Sequence, residues 1–443
     1  MSIPALLGRV RQCFETLPEH RQRGRVDYPL ADALMSAVAM FSLKDATLYA
    51  FDELRNDPVR QHNLRQLYGI QQAPCDTQMR SILDQVEPYA LRPAFVLVHQ
   101  ELQKQGVLET YRFMGKYLIS VDGTGLYSSS HVSCPECCCK QHRNGEESYY
   151  HQLLGAVLVH PDQSTVLPLF PEAITRRDGS EKNDCEHNAS QRLLPAVRQA
   201  FPRLEMTVLQ DALACNGPHI RNLKAQRFSF IITSKPRSNS LLLNTVLAGL
   251  DDGSTPEFEQ TDEQGVIRGY RFRNDAPLNH EHADLKVTFI DHREKHPNGK
   301  TFCMPASPDL PSPPTTWRRS CARAVRAGKI ENETFNTLKI KAITLNTTTV
   351  MARNTVNRIR HPDDADLPDR PVGSLLPLLS EAWHSFRTRK FLWERIQLSF
   401  CLSLIDSWES RTPPSFGGLI RQRPRSGRIP ASNATGDQRL DGC

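Results

Sequence analysis

Apolar and polar positions change period along the chain. Over residues 1 to about 109 the pattern is helical, with apolar residues at mixed three and four spacing from Leu30 to Leu54 and again from Ser81 to Leu108. Helix breakers stand between these stretches, at Asp57-Pro58 and around Pro74. Tyr117-Leu-Ile-Ser-Val-Asp122 then reads as a short buried strand ending in Gly-Thr-Gly. Leu153 to Val159, Glu205 to Asp211 and Phe228 to Thr233 read as further strands, and Leu193 to Phe201 as a helix. Strands alternating with helices predict an α/β core. From about Pro236 to Pro311 the runs Gly269 to Phe272 and Leu285 to Ile290 predict β-rich structure, inserted before the next helix.

That helix, Ile330 to Lys339, carries a carboxylate in an unusual place. At about 100° per residue Ile330, Thr334, Phe335 and Leu338 share one arc, and Glu331 falls inside it while Glu333 points away. A carboxylate on a core-facing stripe has to be paired, protonated or bound to a metal. Asp122 and Asp211, each at the end of a predicted apolar strand, supply two more carboxylates. Strand-end acids facing a helical acid can hold two Mg²⁺ ions, the arrangement that activates a nucleophilic oxygen and stabilises a leaving oxygen in phosphodiester chemistry.

Composition narrows the setting. The chain has 443 residues, room for two or three domains, with 23% charged and 39% hydrophobic residues. A net charge of +6 and a pI near 8.7 form a mild basic bias compatible with nucleic acid. No secretory signal is expected, since Pro4, Arg9 and Arg11 precede any long apolar run, and Leu30 to Leu43 is interrupted by Asp32 and too short to span a bilayer. The expectation is a cytoplasmic, nucleoid-associated protein without a membrane partner. Its 12 cysteines are then read as thiols or metal ligands. Cys134-Pro-Glu-Cys137 has zinc-knuckle spacing; Cys134, Cys137 and His142 are the expected ligands of a structural Zn²⁺, with His151, Cys185 and His187 as alternatives.

Several longer motifs, in order, resemble DDE transposases of bacterial insertion sequences, the type with an RNase-H-like core and a β-strand insertion before the final Glu. They are Phe41-Ser-Leu-Lys-Asp-Ala, Pro74-Cys-Asp-Thr-Gln-Met-Arg80, Asp122-Gly-Thr-Gly-Leu-Tyr, Cys134-Pro-Glu-Cys137 with His142-Arg-Asn-Gly, Asp178 to Glu186, Asp211-Ala-Leu with Asn216-Gly-Pro-His-Ile220, and Ile330 to Lys339. The resemblance covers most of residues 30 to 340. It implies that Asp122, Asp211 and Glu331 form the metal-binding triad and that Lys339 and Arg326 contact DNA phosphate. Gly328 stands where an aromatic residue is usual, and Glu331 to Lys339 is one residue longer than the spacing in the best-known relatives. The acidic run ending at Glu186 reads as a solvated loop, to which the resemblance adds a secondary role in the site. The implied activity is metal-dependent cleavage and strand transfer at insertion-sequence ends, with transposon-end and target DNA as partners and a homodimer on DNA. The alternatives are a catalytically dead remnant that only binds DNA and an RNase-H-like nuclease without strand transfer.

The implied organisation is a helical DNA-binding region (1–109), a first part of the core (110–235), the β-rich insertion (236–320), a last part of the core (321–409) and a disordered basic tail (410–443). Two stretches fit it poorly: residues 305 to 314 contain five prolines, and 341 to 373 are polar without period. Apolar helical character returns at Leu375 to Leu379 and at Phe391 to Trp408. Asn346-Thr-Thr-Thr-Val-Met-Ala-Arg-Asn354 permits the codons AAC ACA ACT ACG GTC ATG GCA AGA AAC. After a Leu codon ending in G, the frame one base earlier reads Glu-His-Asn-Tyr-Gly-His-Gly-Lys-Lys, like the family's histidine- and glycine-rich run. Residues 341–373 are therefore read as translated out of frame.

Overall fold

The computed structural model describes residues 3–308, apart from 23, 25, 44, 46, 132, 177–184, 235–238, 262–264 and 296–300, together with 400–402, 404 and 405. Arg326, Gly328, Glu331, Glu333 and Lys339, the 341–373 segment and the basic tail lie outside the described residues.

Among the described residues the chain opens on six α-helices, α1 (Ile3–Glu15), α2 (Leu30–Ser42), α3 (Leu48–Arg55), α4 (Pro58–Tyr68), α5 (Asp76–Leu83) and α6 (Arg92–Lys104). The single periodic stretch from Leu30 to Leu54 is thus two helices, and the second is capped by Thr47, whose hydroxyl accepts from Ala50 N at 3.0 Å. Asp57-Pro58 does not merely break a helix but starts one: the Asp57 carboxylate accepts from Arg60 N, Pro58 takes the first turn, and Gly69 closes α4 in the left-handed region at φ 71°. α2 is buried along nearly its whole length, so its apolar run serves a protein core. Asp32 is fully buried there, held by Arg11 Nη2 at 2.7 Å and by the backbone N–H groups of Gln71 and Gln72 at 2.8 and 3.0 Å. No helix among the described residues is long and apolar enough to cross a membrane.

A distant segment completes this helical unit. Asn63 on α4 donates through Nδ2 to the carbonyl of Phe400 at 2.7 Å and accepts at Oδ1 from Ile405 N at 2.8 Å. Phe400 and Ile405 are buried in the same apolar cluster as Phe51, Leu64 and Tyr68. The Arg60 guanidinium, paired with Asp45, lies over the rings of Phe51 and Phe400.

The rest is a mixed α/β structure around one large sheet. Its strands are β1 (Arg112–Phe113), β2 (Lys116–Ser129), β3 (Cys138–Gln141), β4 (Glu147–His160), β5 (Gln163–Ile174), β6 (Met206–Gln210), β7 (Ser229–Thr233), β8 (Glu257–Thr261), β9 (Ile267–Pro277), β10 (Lys286–Lys295) and β11 (Thr301–Pro308). Among the described residues three helices accompany them: α7 (Glu186–Ala200), α8 (Gly217–Ala225) and α9 (Ser240–Asp251). The strand order is β3-β4-β2-β6-β7-β11-β10-β9-β8, with β5 also on β4 and β1 on β2. β2, β6 and β7 run parallel, whereas β4 is antiparallel to both β2 and β5. α7 links β5 to β6 and α8 links β6 to β7, the crossovers that parallel neighbours require. β6 and β7 are buried on both faces except at their last residues, which accounts for their unbroken apolar runs.

Three sequence expectations change. β2 does not stop at Asp122 but continues through Gly-Thr-Gly to Ser129, because β4 remains its partner as far as Ser129↔Tyr149. β5, which no pattern announced, fills the edge beside β4. The predicted β-rich stretch after Pro236 begins with α9, whose Leu242 and Val246 enter the main core. Its strands form no separate sheet. β11 pairs with β7 from Ala306↔Thr233 to Pro308↔Ile231, so the insertion extends the core sheet.

Candidate functional site

The parallel pair β2–β6 sets the site. Its register runs from Tyr117↔Met206 to Ser120↔Leu209. Asp122 and Asp211 each stand two residues beyond that last pair, at the same level, where the two strands part. β4 still supports Asp122 through the pairing Asp122↔Gly155, and Asp122 Oδ1 accepts from Gly123 N at 2.8 Å. Asp211 caps the short 3-10 turn Ala212–Ala214 by accepting from Leu213 N at 2.9 Å. Asn216 then caps α8 through His219 N at 3.0 Å. Gly217 lets the His282 ring approach that start closely, since a Cβ there would lie 2.0 Å from the ring and force it to shift. The Asp211-Ala-Leu and Asn216-Gly-Pro-His-Ile motifs are thus the caps and the close approach that fix the end of β6.

A third carboxylate reaches this place from α7. Glu186, in the first turn of the helix, lies against Gly123: a Cβ on that glycine would sit 1.9 Å from Glu186 Oε1. Gln152 of β4 donates to the same oxygen at 3.0 Å. Burial, and then the negative charges of Asp122 and Asp211, push the Glu186 carboxyl above the ordinary carboxylate range, against the pull of the Gln152 hydrogen bond. Three acids therefore share one field at the point where β2 and β6 part. In the sequence pattern Glu186 ends a solvated acidic loop, and only the family resemblance gives it a secondary role. Only the fold, by setting the start of α7 beside Gly123, brings it to Asp122 and Asp211.

The supports of this site are buried polar groups. His219 Nε2 lies 2.6 Å from Gln210 Oε1 at the end of β6, which makes that nitrogen the donor. Burial, and then the neighbouring His187, lower the His219 pKa to about 4, so the ring is neutral at pH 7. Glu172 of β5 is buried and pairs with Arg92 of α6 and with Arg192 of α7, the latter at 2.7 Å, tying both helices to the sheet.

A second cluster lies further along β4. Cys134 Sγ, Cys137 Sγ and His151 Nε2 approach one another at 3.2, 3.2 and 3.3 Å and form a group that could hold a metal ion. His142, the ligand expected from spacing, stands elsewhere: it is exposed in the β3–β4 turn and its Nε2 contacts Ser148 Oγ at 2.8 Å. The correction follows from hairpin register. Cys138 pairs with Tyr150, which carries Cys137 to the level of His151, whereas Gln141 pairs with Glu147 and leaves His142 in the turn. Burial pushes the Cys137 thiol up to about 11 and lowers the pKa of His151, whose neutral ring suits a ligand.

No family model matches the chain, and no curated protein matches it. The two clusters are therefore read from their own chemistry. Sulfur with imidazole at Cys134, Cys137 and His151 suits a soft metal ion, and among the described residues these three bring their donor atoms close enough to hold one.

Proposed function

We propose that the chain is a DDE-type transposase with an RNase-H-like core, acting on the ends of an insertion sequence. The observation that carries this reading is the shared level of Asp122 and Asp211 beyond the last β2–β6 pair, with Glu186 in their field. Strand order supports the core assignment: β5-β4-β2-β6-β7, the first three antiparallel and the last three parallel, with helices after β5 and β6. In this reading Asp122 and Asp211, with Glu331 from outside the described residues, hold two Mg²⁺ ions. Bound there, the ions supply Lewis-acid activation of the attacking oxygen and stabilisation of the leaving oxygen. The chain's own part is to fix the carboxylates on sheet strands and to neutralise DNA phosphate, for which Arg326 and Lys339 are proposed. The soft Cys134, Cys137 and His151 set takes Zn²⁺ instead, so the two metals belong to two places in the fold.

Cleavage of duplex DNA bearing the element's terminal repeats, read from its flanking sequence, tests this. Nicking in Mg²⁺ that disappears in Asp122→Ala is expected, and nicking that survives the change overturns the reading. The alternative, a remnant that binds these ends without cutting, is favoured by the aperiodic polar run at 341–373. It predicts specific binding with no nicking in Mg²⁺ or Mn²⁺.

A further inference from the structure

We propose that Cys134, Cys137 and His151 bind a structural Zn²⁺ ion that clasps the turn before β3 to β4 and, through the neighbouring Gln152, sets the position of Glu186. The last link rests on the proposed active site, whereas the metal site stands on its own geometry. The three donor atoms surround a common centre at mutual distances of 3.2 to 3.3 Å. Zinc at about 2.3 Å from sulfur and about 2.0–2.1 Å from nitrogen spans tetrahedral edges of roughly 3.5–3.8 Å, so an ion enters after each edge opens by a few tenths of an ångström. The two sulfurs are too far apart for a disulfide, whose S–S bond is about 2.0 Å.

The backbone offers one N–H to the Cys137 sulfur, against the effect of burial on that thiol. Residues 134 to 137 form a turn closed by Cys137 N donating to Cys134 O at 3.1 Å, and Cys134 N donates to Cys137 Sγ at 3.2 Å. An N–H directed at sulfur stabilises the negative form. Each thiol gives up its proton as the ion binds. A fourth donor, protein or water, completes the tetrahedron. Cys137 and His151 are buried at 3% and 5% exposure, which shields the metal bonds from solvent.

The consequence lies in the residue after the ligand. His151 faces the zinc cluster, and Gln152, next on β4, donates to Glu186 Oε1 at 3.0 Å. Fixing His151 therefore fixes the start of β4 that holds Glu186 beside Gly123.

The experiment is metal analysis of the purified full-length chain and three variants. Stoichiometric zinc is expected in the wild type and in His142→Ala, falling below about a tenth of that in Cys137→Ser and His151→Ala. Because the last two variants can fail to fold, cobalt substitution of the wild type supplies a second readout, with thiolate-to-cobalt charge-transfer bands expected. Zinc retained in His151→Ala but lost in His142→Ala overturns the ligand set. A folded wild type with free thiols or a Cys134–Cys137 disulfide and no metal overturns the site. Hydrogen exchange at residues 147–152 is expected to rise at least tenfold when zinc is withdrawn, and unchanged exchange overturns the clasp. None of these readouts requires DNA cleavage, so their failure is separate from failure of the transposase reading.

Discussion

At the scale of single residues, the carboxyl of Glu186 carries a pH signature. Its folded-state pKa lies above the ordinary Glu value, so the folded chain keeps a proton that the unfolded chain has released. Stability in buffer without added divalent ions should fall as pH rises through the ordinary Glu range and level off above the raised value. Urea titrations across that range should show this slope in the wild type and a flatter one in Glu186→Gln; equal slopes would assign the effect elsewhere. His219 has the opposite sign. Its pKa is depressed to about 4, so the stability it contributes is present above the ordinary His value and drains away as pH falls from there toward 4. The loss should be on the order of 3 kcal/mol, and His219→Gln should remove most of it. Legibility also varied residue by residue. Asp122 and Asp211 announced themselves at the ends of apolar runs. His151 is only an alternative ligand in the sequence because the closer His142 satisfies the spacing. Asn144-Gly145 marks the turn, but the register that sets His151 opposite Cys137 comes from a three-residue loop, Arg143 to Gly145 with Gly145 at φ 83°, which the dipeptide alone does not specify.

At the scale of elements, the decisive contact is between β2 and the start of α7. Gly123 leaves the space that Glu186 occupies, and the atoms a Cβ would meet are the end of a flexible side chain. Gly123→Ala should therefore cost less than about 1 kcal/mol of stability while displacing Glu186 from Asp122 and Asp211. Mg²⁺-dependent nicking should drop at least tenfold with the melting temperature little changed; full activity would remove Glu186 from the site. β6 and β7 were legible as strands because burial on both faces makes them continuously apolar. The parallel register that levels Asp122 with Asp211 was not, since pairing between strands nearly ninety residues apart leaves no local trace. β5 escaped notice for a related reason: Pro168, Pro171 and the buried Glu172 interrupt its apolar pattern, and Glu172 is tolerated only because Arg92 and Arg192 reach it.

At the scale of the whole molecule, two apolar clusters are built from different parts of the chain, one around the sheet and one among the first helices. The second also draws on Phe400 and Ile405, and Asn63 ties it to them over 337 and 342 residues of sequence. Asn63→Leu should cost about 2–4 kcal/mol, because the buried carbonyl of Phe400 and N–H of Ile405 lose their partner; a change below about 1 kcal/mol in chemical denaturation would show water replacing it. Sequence periodicity predicts apolar helical character from Phe391 to Trp408; of its described residues 400–402 are helical and Leu404 and Ile405 are not, and the pattern gives no destination for them. Genomic codons for residues 346–354 that fail to encode the alternate string would remove the frame hypothesis and leave the Asn63 contact untouched.

That contact also orders events during synthesis. The first helices leave the ribosome early, yet the groove beside Asn63 cannot close until residue 405 has emerged. Through most of elongation Phe51 and Arg60 wait without Phe400, a hold-point at which chaperones and proteases compete for the nascent chain. A ribosome that lost frame after Lys339 and never regained it would release a chain whose opening domain is complete in sequence and unfinished in structure. Cellular abundance of this protein should then report on decoding far downstream of the helices it protects.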